Sequence, residues 1–359
     1  MTILIVNWNG KRFLNGLFES LVSTTYENHE ILIVDNGSTE GDAEILRQLA
    51  DRYSNLRLVC LASNLGFAGG NNVGLRQLPP DTRYVCFLNS DVLVEPGWLE
   101  PLVTFLEEHP DAGIVQPKLL RPENHRKIDR AVLTVDRLGY DVYDIFTDRE
   151  DGPDLDTPCP VFSVSGAAFL VRRSLLDQVS FGSDVFDPSY FTYFEETDLC
   201  WRARLTGAQI WFCPASRVYH YRGGATRPTG AIPPPLVFYH TKNRLSSLLK
   251  NYSLGNVALW FPLLVGCESF RALATARRNR DHSREILRGI QWVFDHWDEI
   301  MLRRKFVQRN LRKVSDRQAL KLMALPNLLR LLRNFGKVYQ PAKVPIRPLT
   351  DKPSTIRSP

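Results

Sequence analysis

In "YVCFLNSDVLVEP", an apolar run ends abruptly in Asn89-Ser90-Asp91. The run reads as a buried strand, and a carboxylate at its exit is costly unless it is paired or bound to a cation. Mg²⁺ or Mn²⁺ prefers oxygen ligands and would bridge a diphosphate there. The plain alternative is an N-cap for the helix in "GWLEPLVTFLEEH", but Pro96 and Gly97 stand nearer that start and leave Asp91 without a capping role. Far along the chain, "YFTYFEETDLCWRARL" brings Glu195, Glu196 and Asp198 to a helix entrance. Acids there favour the helix dipole. Adjacent carboxylates among aromatic rings also raise one another's pKa, which suits a general base. His220, in "VYHYRGGAT", follows another strand. A lone His is usually structural; it becomes a ligand candidate because a cation on Asp91 needs further donors.

Two further clusters sit at strand exits. Asp35-Asn36-Gly37-Ser38 ends an apolar run. Its carboxylate could accept from a pyrimidine N3–H or from ribose hydroxyls, or could merely form an Asx-turn. "NLGFAGGNNVGL" opens with Asn64, Gly66, Gly69 and Gly70 and becomes helical. Exposed N–H groups at such a helix start could face a pyrophosphate, or the glycines could serve a tight strand-to-helix turn. The spacing is neither GxGxxG nor a P-loop.

These residues need a scaffold that gathers strand ends. Short apolar strands at "ILIV", "EILIVD", "LRLVCL" and "YVCFLN" alternate with helical patterns, the first of which carries Phe13, Leu14, Leu17, Phe18 and Leu21. Such alternation predicts an α/β fold with a mostly parallel sheet flanked by helices. Ligands of such sheets bind beyond the carboxyl ends of the strands, where Asn7, Asp35, Asn64 and Asp91 fall. "GIVQPKLL" is a further strand, and the polar stretch that follows to Cys159 reads as an acceptor-side loop or hairpin. "VFSVSGAAFLVRRSLLDQV" gives a strand and a short helix, and "AQIWFCP" and "SRVYHYRG" read as two strands. Residues 229–235 read as a hinge, and the chain is mostly helical from Leu236.

Composition narrows the class. The 359 residues are 44% hydrophobic and 23% charged, which is ordinary for a globular protein. The six cysteines form no CxxC pair and read as reduced core residues, not as a disulfide frame or zinc site. The N-terminus lacks a signal-peptide pattern. The most apolar late stretch, residues 254–266, is too short to span a bilayer and contains Pro262, so an interfacial or buried helix is expected. The net charge of +6 is concentrated past Ser269, in Arg271, Arg277, Arg278, Arg280 and their successors. No nucleic-acid module accompanies those charges, and no nucleic-acid partner is expected. Attachment of the basic, apolar helices near Phe261 and residues 328–332 to an anionic membrane surface suits them better.

As an ordered set, "VNWN", "VDNGS", "NLGFAGGNNVGL", "FLNSDV", "VSGAAFLVRR", "YFEETDLCWR" and "VYHYRGGAT" resemble the family 2 glycosyltransferases of GT-A fold, nearest the rhamnosyltransferase-like subgroup of bacterial surface polysaccharide assembly. The resemblance covers roughly residues 1–250. It implies a glycosyltransferase domain at 1–228, a basic helical extension at 229–338, and a Pro-rich tail at 339–359 expected to be disordered. It implies a nucleotide-sugar pocket built from Asn7, Asn9, Asp35, Asn36, Gly37, Asn64, Gly66, Gly69, Asn71, Asn89, Ser90, Gly166 and Arg222. Asn89-Ser90-Asp91 stands where the family has a DxD-type metal motif, with Asn89 in place of the first acid, so Asp91 and His220 are the implied ligands of Mg²⁺ or Mn²⁺. Glu196 takes the second position of the family's Glu-Asp pair, the catalytic base, with Glu195 and Asp198 as its rivals. The implied activity is inverting transfer from a nucleotide-sugar, dTDP-rhamnose foremost, to a glycan or lipid-linked acceptor. The implied location is cytoplasmic, including the inner face of the membrane. Two other readings compete: a sugar nucleotidyltransferase, which would need a Gly-rich triphosphate loop where only Gly10 stands, and an inactive nucleotide-sugar-binding or membrane-associated module.

Overall fold

The structure is a computed structural model and describes residues 1–141, 146–222 and 233–326. Strands β1 (Thr2–Asn7), β2 (Glu30–Asp35), β3 (Leu56–Cys60) and β4 (Tyr84–Asn89) form a parallel run in the order β3-β2-β1-β4. They are joined by helices α1 (Lys11–Val22), α2 (Asp42–Arg52) and α3 (Gly66–Leu75). The apolar stripe of α1, from Phe13 to Leu21, is buried as its helical spacing requires. The first five residues of β4 are buried, because helices cover both faces of this sheet.

Beyond β4 the sheet becomes mixed. After β5 (Val92–Val94) and α4 (Leu99–Glu108), β6 (Ala112–Arg121) and β7 (Asn124–Arg130) form the antiparallel hairpin expected of the polar stretch. The short β8 (Cys159–Pro160) precedes β9 (Ala168–Arg172), which lies antiparallel between β4 and β6. That direction has a consequence: the start of β9 sits beside the exit of β4, and the Asn89 N–H donates to the Ala167 carbonyl at 2.9 Å. After α5 (Arg173–Val179) and α6 (Glu195–Leu205) comes β10 (Gln209–His220), parallel to β6 and antiparallel to β5. The two strands expected over 208–223 are thus one strand. The pairing shifts register between Cys213 and Arg217. Pro214, which has no N–H to give, lies within the bulge.

The described part of the C-terminal segment is helical: α7 (Pro234–Asn251), α8 (Leu254–Ala276), α9 (Arg280–Asp295), α10 (Trp297–Phe306) and the short α11 (Asp316–Ala319). Leu245, Leu248 and Leu249 of α7, and Tyr252 just after it, share one continuous apolar core with Phe87 and Phe169 of the sheet. A buried polar seam reinforces the join, in which Lys250 Nζ lies 2.5 Å from Asp187 and 3.1 Å from Asp198. The apolar stretch at 254–266 proves to be part of a longer element. Pro262 sits exposed inside α8 without ending it, and the 23-residue helix is long and apolar enough to cross a membrane by length and composition. Residues 229–232 of the expected hinge, residues 328–332 and the Pro-rich tail lie outside the described residues.

Candidate active site

A cavity of about 850 Å³ opens where the exits of β1, β4 and β10 meet the starts of β9, α6 and α7. It includes the β1–β4 boundary, where connections leave to opposite sides and an open sheet leaves a crevice. Asp91, Glu195, Glu196 and His220 all line it.

Strand pairing brings Asp91 to His220. Val92 of β5 is in register with His220 of β10, and the Tyr221 N–H donates to the Asp91 carbonyl at 3.0 Å. The His220 Nε2 then lies 3.5 Å from an Asp91 carboxylate oxygen. On its other side, His220 Nδ1 lies 2.8 Å from Asp129 Oδ2, at the buried end of β7. Arg222 Nη2 forms an ion pair with the second Asp129 carboxylate oxygen at 2.7 Å and donates to the Asp129 backbone carbonyl at 3.1 Å, and Arg222 also lines the cavity. Burial would lower the His220 pKa, but Asp91 and Asp129 together raise it to about 9. Burial would raise that of Asp129, but Arg130, His220 and Arg222 hold it far below the carboxylate range. Asp129 was not among the residues expected from sequence. The signal was faint: one acid in "KIDRAV", directly after an apolar Ile128, with no motif around it.

The acidic helix start is held under strain. Tyr193 and Phe194 both adopt left-handed backbone, at φ 68° and 73°, which bulky residues rarely do. Asn243 of α7, fully buried, donates through Nδ2 to the carbonyls of Thr192 at 2.9 Å and Tyr193 at 2.7 Å. The next two residues are Glu195 and Glu196. Burial pushes the Glu195 carboxyl well up, and the neighbouring Glu196 adds to it. Burial raises Glu196 to about 7. One carboxylate oxygen of each is buried without a hydrogen-bond partner among the described residues. Asp198 is different. Arg202 at 2.9 Å, Lys250 at 3.1 Å and Asn251 at 2.8 Å saturate it, and it does not line the cavity. One helical position after Thr197, its side chain turns into the seam with α7, so it is not available as a base.

Asn36, Asn64, Gly66, Asn89, Ser90 and Gly166 line the cavity, and a Cβ on Gly166 would lie 3.9 Å from the Glu196 carboxyl. Two of the N–H groups at the glycine turn already have partners within the chain. The Leu65 N–H is taken by Asn36 Oδ1 at 2.9 Å and the Gly66 N–H by Asn64 Oδ1 at 2.7 Å. A Cβ on Gly66 would lie 2.1 Å from the Phe191 carbonyl, so glycine there permits the turn to meet the loop before α6. Gly69 and Asn71 do not line the cavity: a Gly69 Cβ would meet the exposed Leu65 one turn back, and Asn71 donates to the Phe67 carbonyl. Asn7 and Asp35 lie behind the wall, fully and almost fully buried, where Asn7 donates to Asp35 at 3.3 Å and to Asp42 at 3.0 Å. Asn9 ties the same junction to Ser38 and Thr39, and a Gly37 Cβ would strike the Ser63 backbone at 2.5 Å. Asn7, Asn9, Asp35 and Gly37 brace the pocket and do not line it. Trp8 and Phe67, which the sequence did not single out, do line it.

Known proteins resemble this chain in sequence and in fold. The family model described as "Glycosyl transferase family 2" matches residues 2–180. An N-acetylglucosaminyl-diphospho-decaprenol L-rhamnosyltransferase of Mycobacterium tuberculosis (strain ATCC 25618 / H37Rv) is 28% identical over 244 residues, covering 63% of this chain and 77% of that protein. Rhamnosyltransferase WbbL of Escherichia coli (strain K12) is 25% identical over 237 residues, covering 61% and 82%. An uncharacterized glycosyltransferase of Haemophilus influenzae is 26% identical over 109 residues, only 33% of its length. The solved structure of GalNAc-T7 with UDP, GalNAc and Mn²⁺ superposes with a TM-score of 0.56 at 12% identity, over 83% of this chain and 57% of that one. The ordered strand-exit motifs, the sheet and the family match lead to one conclusion: the chain belongs to glycosyl transferase family 2 and carries the GT-A fold.

Proposed function

We propose that the chain transfers a sugar, with inversion, from a nucleoside-diphosphate sugar to a hydroxyl of a glycan or lipid-linked acceptor. The observation that carries this reading is the shared cavity: the Asp91–His220 pair and the raised Glu196 carboxyl line the same space. Glu196 takes the proton of the acceptor hydroxyl, whose oxygen attacks the anomeric carbon from the face opposite the diphosphate. The carbon–oxygen bond to the diphosphate breaks as the new one forms, and no covalent sugar intermediate is needed. Arg222 sits on the same wall to offset charge on the leaving group.

A divalent ion fits the donor set. Asp129 commits His220 Nδ1, leaving Nε2 on the Asp91 side. Among the described residues no group of three or more His, Cys, Asp or Glu could hold an ion. Mg²⁺ is characteristically held by one or two carboxylates together with substrate phosphates. Asp91 and His220 would therefore hold Mg²⁺ or Mn²⁺ only with the diphosphate present, and the bound ion supplies positive charge to the departing oxygens.

The relatives named rhamnosyltransferases favour dTDP-rhamnose as donor and surface polysaccharide assembly as the setting. An anionic membrane is the proposed docking surface. Leu259, Pro262, Leu263, Gly266, Phe270 and Leu273 form an exposed apolar stripe on α8. The two charges of the helix, Glu268 and Arg271, pair with each other, while Arg277, Arg278 and Arg280 follow the stripe. Apolar contact flanked by arginines matches anionic lipid. The direct test screens nucleotide sugars for thermal stabilisation with Mn²⁺ and assays the best one for hydrolysis and transfer. Stabilisation by dTDP-rhamnose supports the reading; release of pyrophosphate from a sugar-1-phosphate and NTP would replace it with a nucleotidyltransferase.

A further inference from the structure

The segment after β7 forms a stretch of the cavity wall, and what holds it lies far along the chain. Leu133, Thr134, Val135 and Asp141 all line the cavity. Asp136 shapes the turn within this segment. Its carboxylate accepts from the Leu138 N–H at 2.8 Å and the Tyr140 N–H at 3.0 Å, and its own N–H donates to the Tyr140 carbonyl at 2.9 Å. Val135 and Asp141 are thereby bridged across the turn. Tyr140 pins the turn to the C-terminal helices. Its ring centroid lies 3.9 Å from the guanidinium carbon of Arg244 on α7, and its hydroxyl donates to Glu268 of α8 at 2.5 Å. Gly139 is left-handed, at φ 75°, and a Cβ there would lie 2.9 Å from Arg244 Cγ, so glycine lets the turn close on α7. Glu268 is fully buried. Burial would raise its carboxyl, but Arg244 and Arg271 hold it at about 2, so it stays ionised near neutrality. Tyr252 donates to the Arg137 carbonyl at 2.8 Å, and the Arg137 N–H to the Ala324 carbonyl at 3.0 Å. Arg244, Tyr252, Glu268 and Ala324 all lie past residue 180, where the family match ends.

We infer that Asp141 is a positioning residue that acts through Glu196, and that α7 and α8 hold it in the cavity wall through Tyr140. The inference rests on the proposed transfer reaction, in which Glu196 takes the acceptor proton. The acids Asp91, Asp141 and Glu195 line the cavity with Glu196, as do Arg130, His220, Arg222 and His240. Lys242 of α7 bears on Glu195, and Cys200, one turn along α6, is a neutral thiol that burial pushes up to about 12. Burial raises the Glu196 carboxyl most, and the charge of Asp141 adds to the rise. A like charge nearby disfavours the ionised form, and a carboxyl brought near neutrality accepts a proton more readily than an ordinary one. Glu268 does not titrate in that range, so the tether that carries Asp141 is the same on both sides of the Glu196 transition.

The test follows kcat/KM for the best nucleotide sugar against pH, in the full chain with Mn²⁺. Asp141→Asn removes a negative charge that opposes ionisation of Glu196. The rise of kcat/KM is therefore expected at lower pH, the variant keeping about two- to fivefold more of its plateau value at pH 6 than the wild type does. Tyr140→Ala frees the turn from Arg244 and Glu268 and is expected to move the rise the same way; Tyr140→Phe keeps the ring and is expected to move it less. Calorimetric binding of a nucleoside diphosphate shows that each variant is folded. A second readout needs no catalysis. Glu196 loses its contribution to stability as pH rises toward about 7, so Glu196→Gln is expected to gain on the wild type in melting temperature from pH 5 to pH 8. In an Asp141→Asn background that gain is expected to shrink, because Glu196 there ionises at lower pH. An unmoved profile or an undiminished gain in Asp141→Asn overturns the inference. A profile that moves in Asp141→Asn and not in Tyr140→Ala overturns the part given to α7 and α8. A wild type that turns over no nucleotide sugar overturns the transfer reading, and the melting comparison then decides by itself whether Asp141 acts on Glu196.

Discussion

Asp129 Oδ2 and His220 Nδ1 lie 2.8 Å apart, and that contact fixes which nitrogen of His220 faces Asp91. Carboxylate partners of this kind orient a ligand histidine and raise its basicity, and losing them typically costs 10–100-fold in metal affinity. Asp129→Asn is therefore expected to weaken Mn²⁺ binding in the presence of nucleoside diphosphate by roughly that factor. Calorimetry with and without Mn²⁺ measures it. An unchanged metal affinity would show that His220 needs no orienting partner.

Replacing Glu196 by Gln keeps the shape of the site and removes the proposed base. Transfer is expected to fall by roughly 10²–10⁴-fold, the usual worth of a positioned base, while nucleotide-sugar binding persists. Wild-type turnover in Glu196→Gln would refute the assignment. The same substitution in Glu195 is the internal comparison, because both carboxyls line the cavity.

The part of this site that the sequence made legible is the part carried at strand exits. Asp91 follows a buried run and His220 ends another, and no knowledge of the fold was needed to suspect either. The strand register that joins them, Val92 opposite His220, is a long-range fact that no local pattern encodes. Asp129 stayed hidden for the same reason: its partners, His220 and Arg222, are some ninety residues away, and its own neighbourhood reads as a solvated hairpin. Asp35 and Asn7 were legible as strand-end polar residues but not as bracing ones, because their mutual bonding depends on the pairing of β1 with β2. Asp198 looked like its neighbours Glu195 and Glu196 until Arg202 and Lys250 were seen to saturate it. The fold was far more legible than the site, since the alternation of apolar strands with amphipathic helices repeats locally from Thr2 to Asn89.

Burial raises Glu196 to about 7, which sets two pH dependences of opposite sign. A base must be ionised, so kcat/KM is expected to rise with pH through about 7 and then level off. Stability moves the other way. Between its ordinary unfolded value and about 7, the folded carboxyl holds a proton that the unfolded one has released, so its contribution is lost as pH rises through that window. Glu196→Gln escapes this loss, and its melting temperature relative to wild type is expected to climb from pH 5 to pH 8. A constant difference across that range would mean that Glu196 titrates normally.

The apolar stripe on α8 predicts partition to lipid. The protein is expected to pellet with vesicles containing anionic phospholipid, and less so in high salt, since attraction of the arginines after the stripe is screened. Leu259→Glu with Leu263→Glu places charge on the exposed face and is expected to release the protein without lowering its melting temperature. Pelleting that survives the double substitution would move the contact to another surface.

Asn243 is expected to matter for catalysis as well as for folding, because the backbone it holds leads straight into the carboxylates. Its Nδ2 serves the carbonyls of Thr192 and Tyr193, and the left-handed Phe194 then starts α6. Asn243→Ala removes both donors from a buried setting, at a cost of about 1–3 kcal/mol for each group left unsatisfied. Asn243→Asp keeps the volume but an ionised carboxylate cannot donate, so it is expected to behave no better. If the side chain only stabilised the fold, either variant assayed well below its melting temperature would keep its rate. If it positions the base, kcat falls while nucleotide-sugar affinity is retained, and the rise of kcat/KM with pH shifts, because Glu195 and Glu196 leave the setting that raises them. The pH profile separates the two roles, since a loss of stability alone does not move the pKa of the folded fraction.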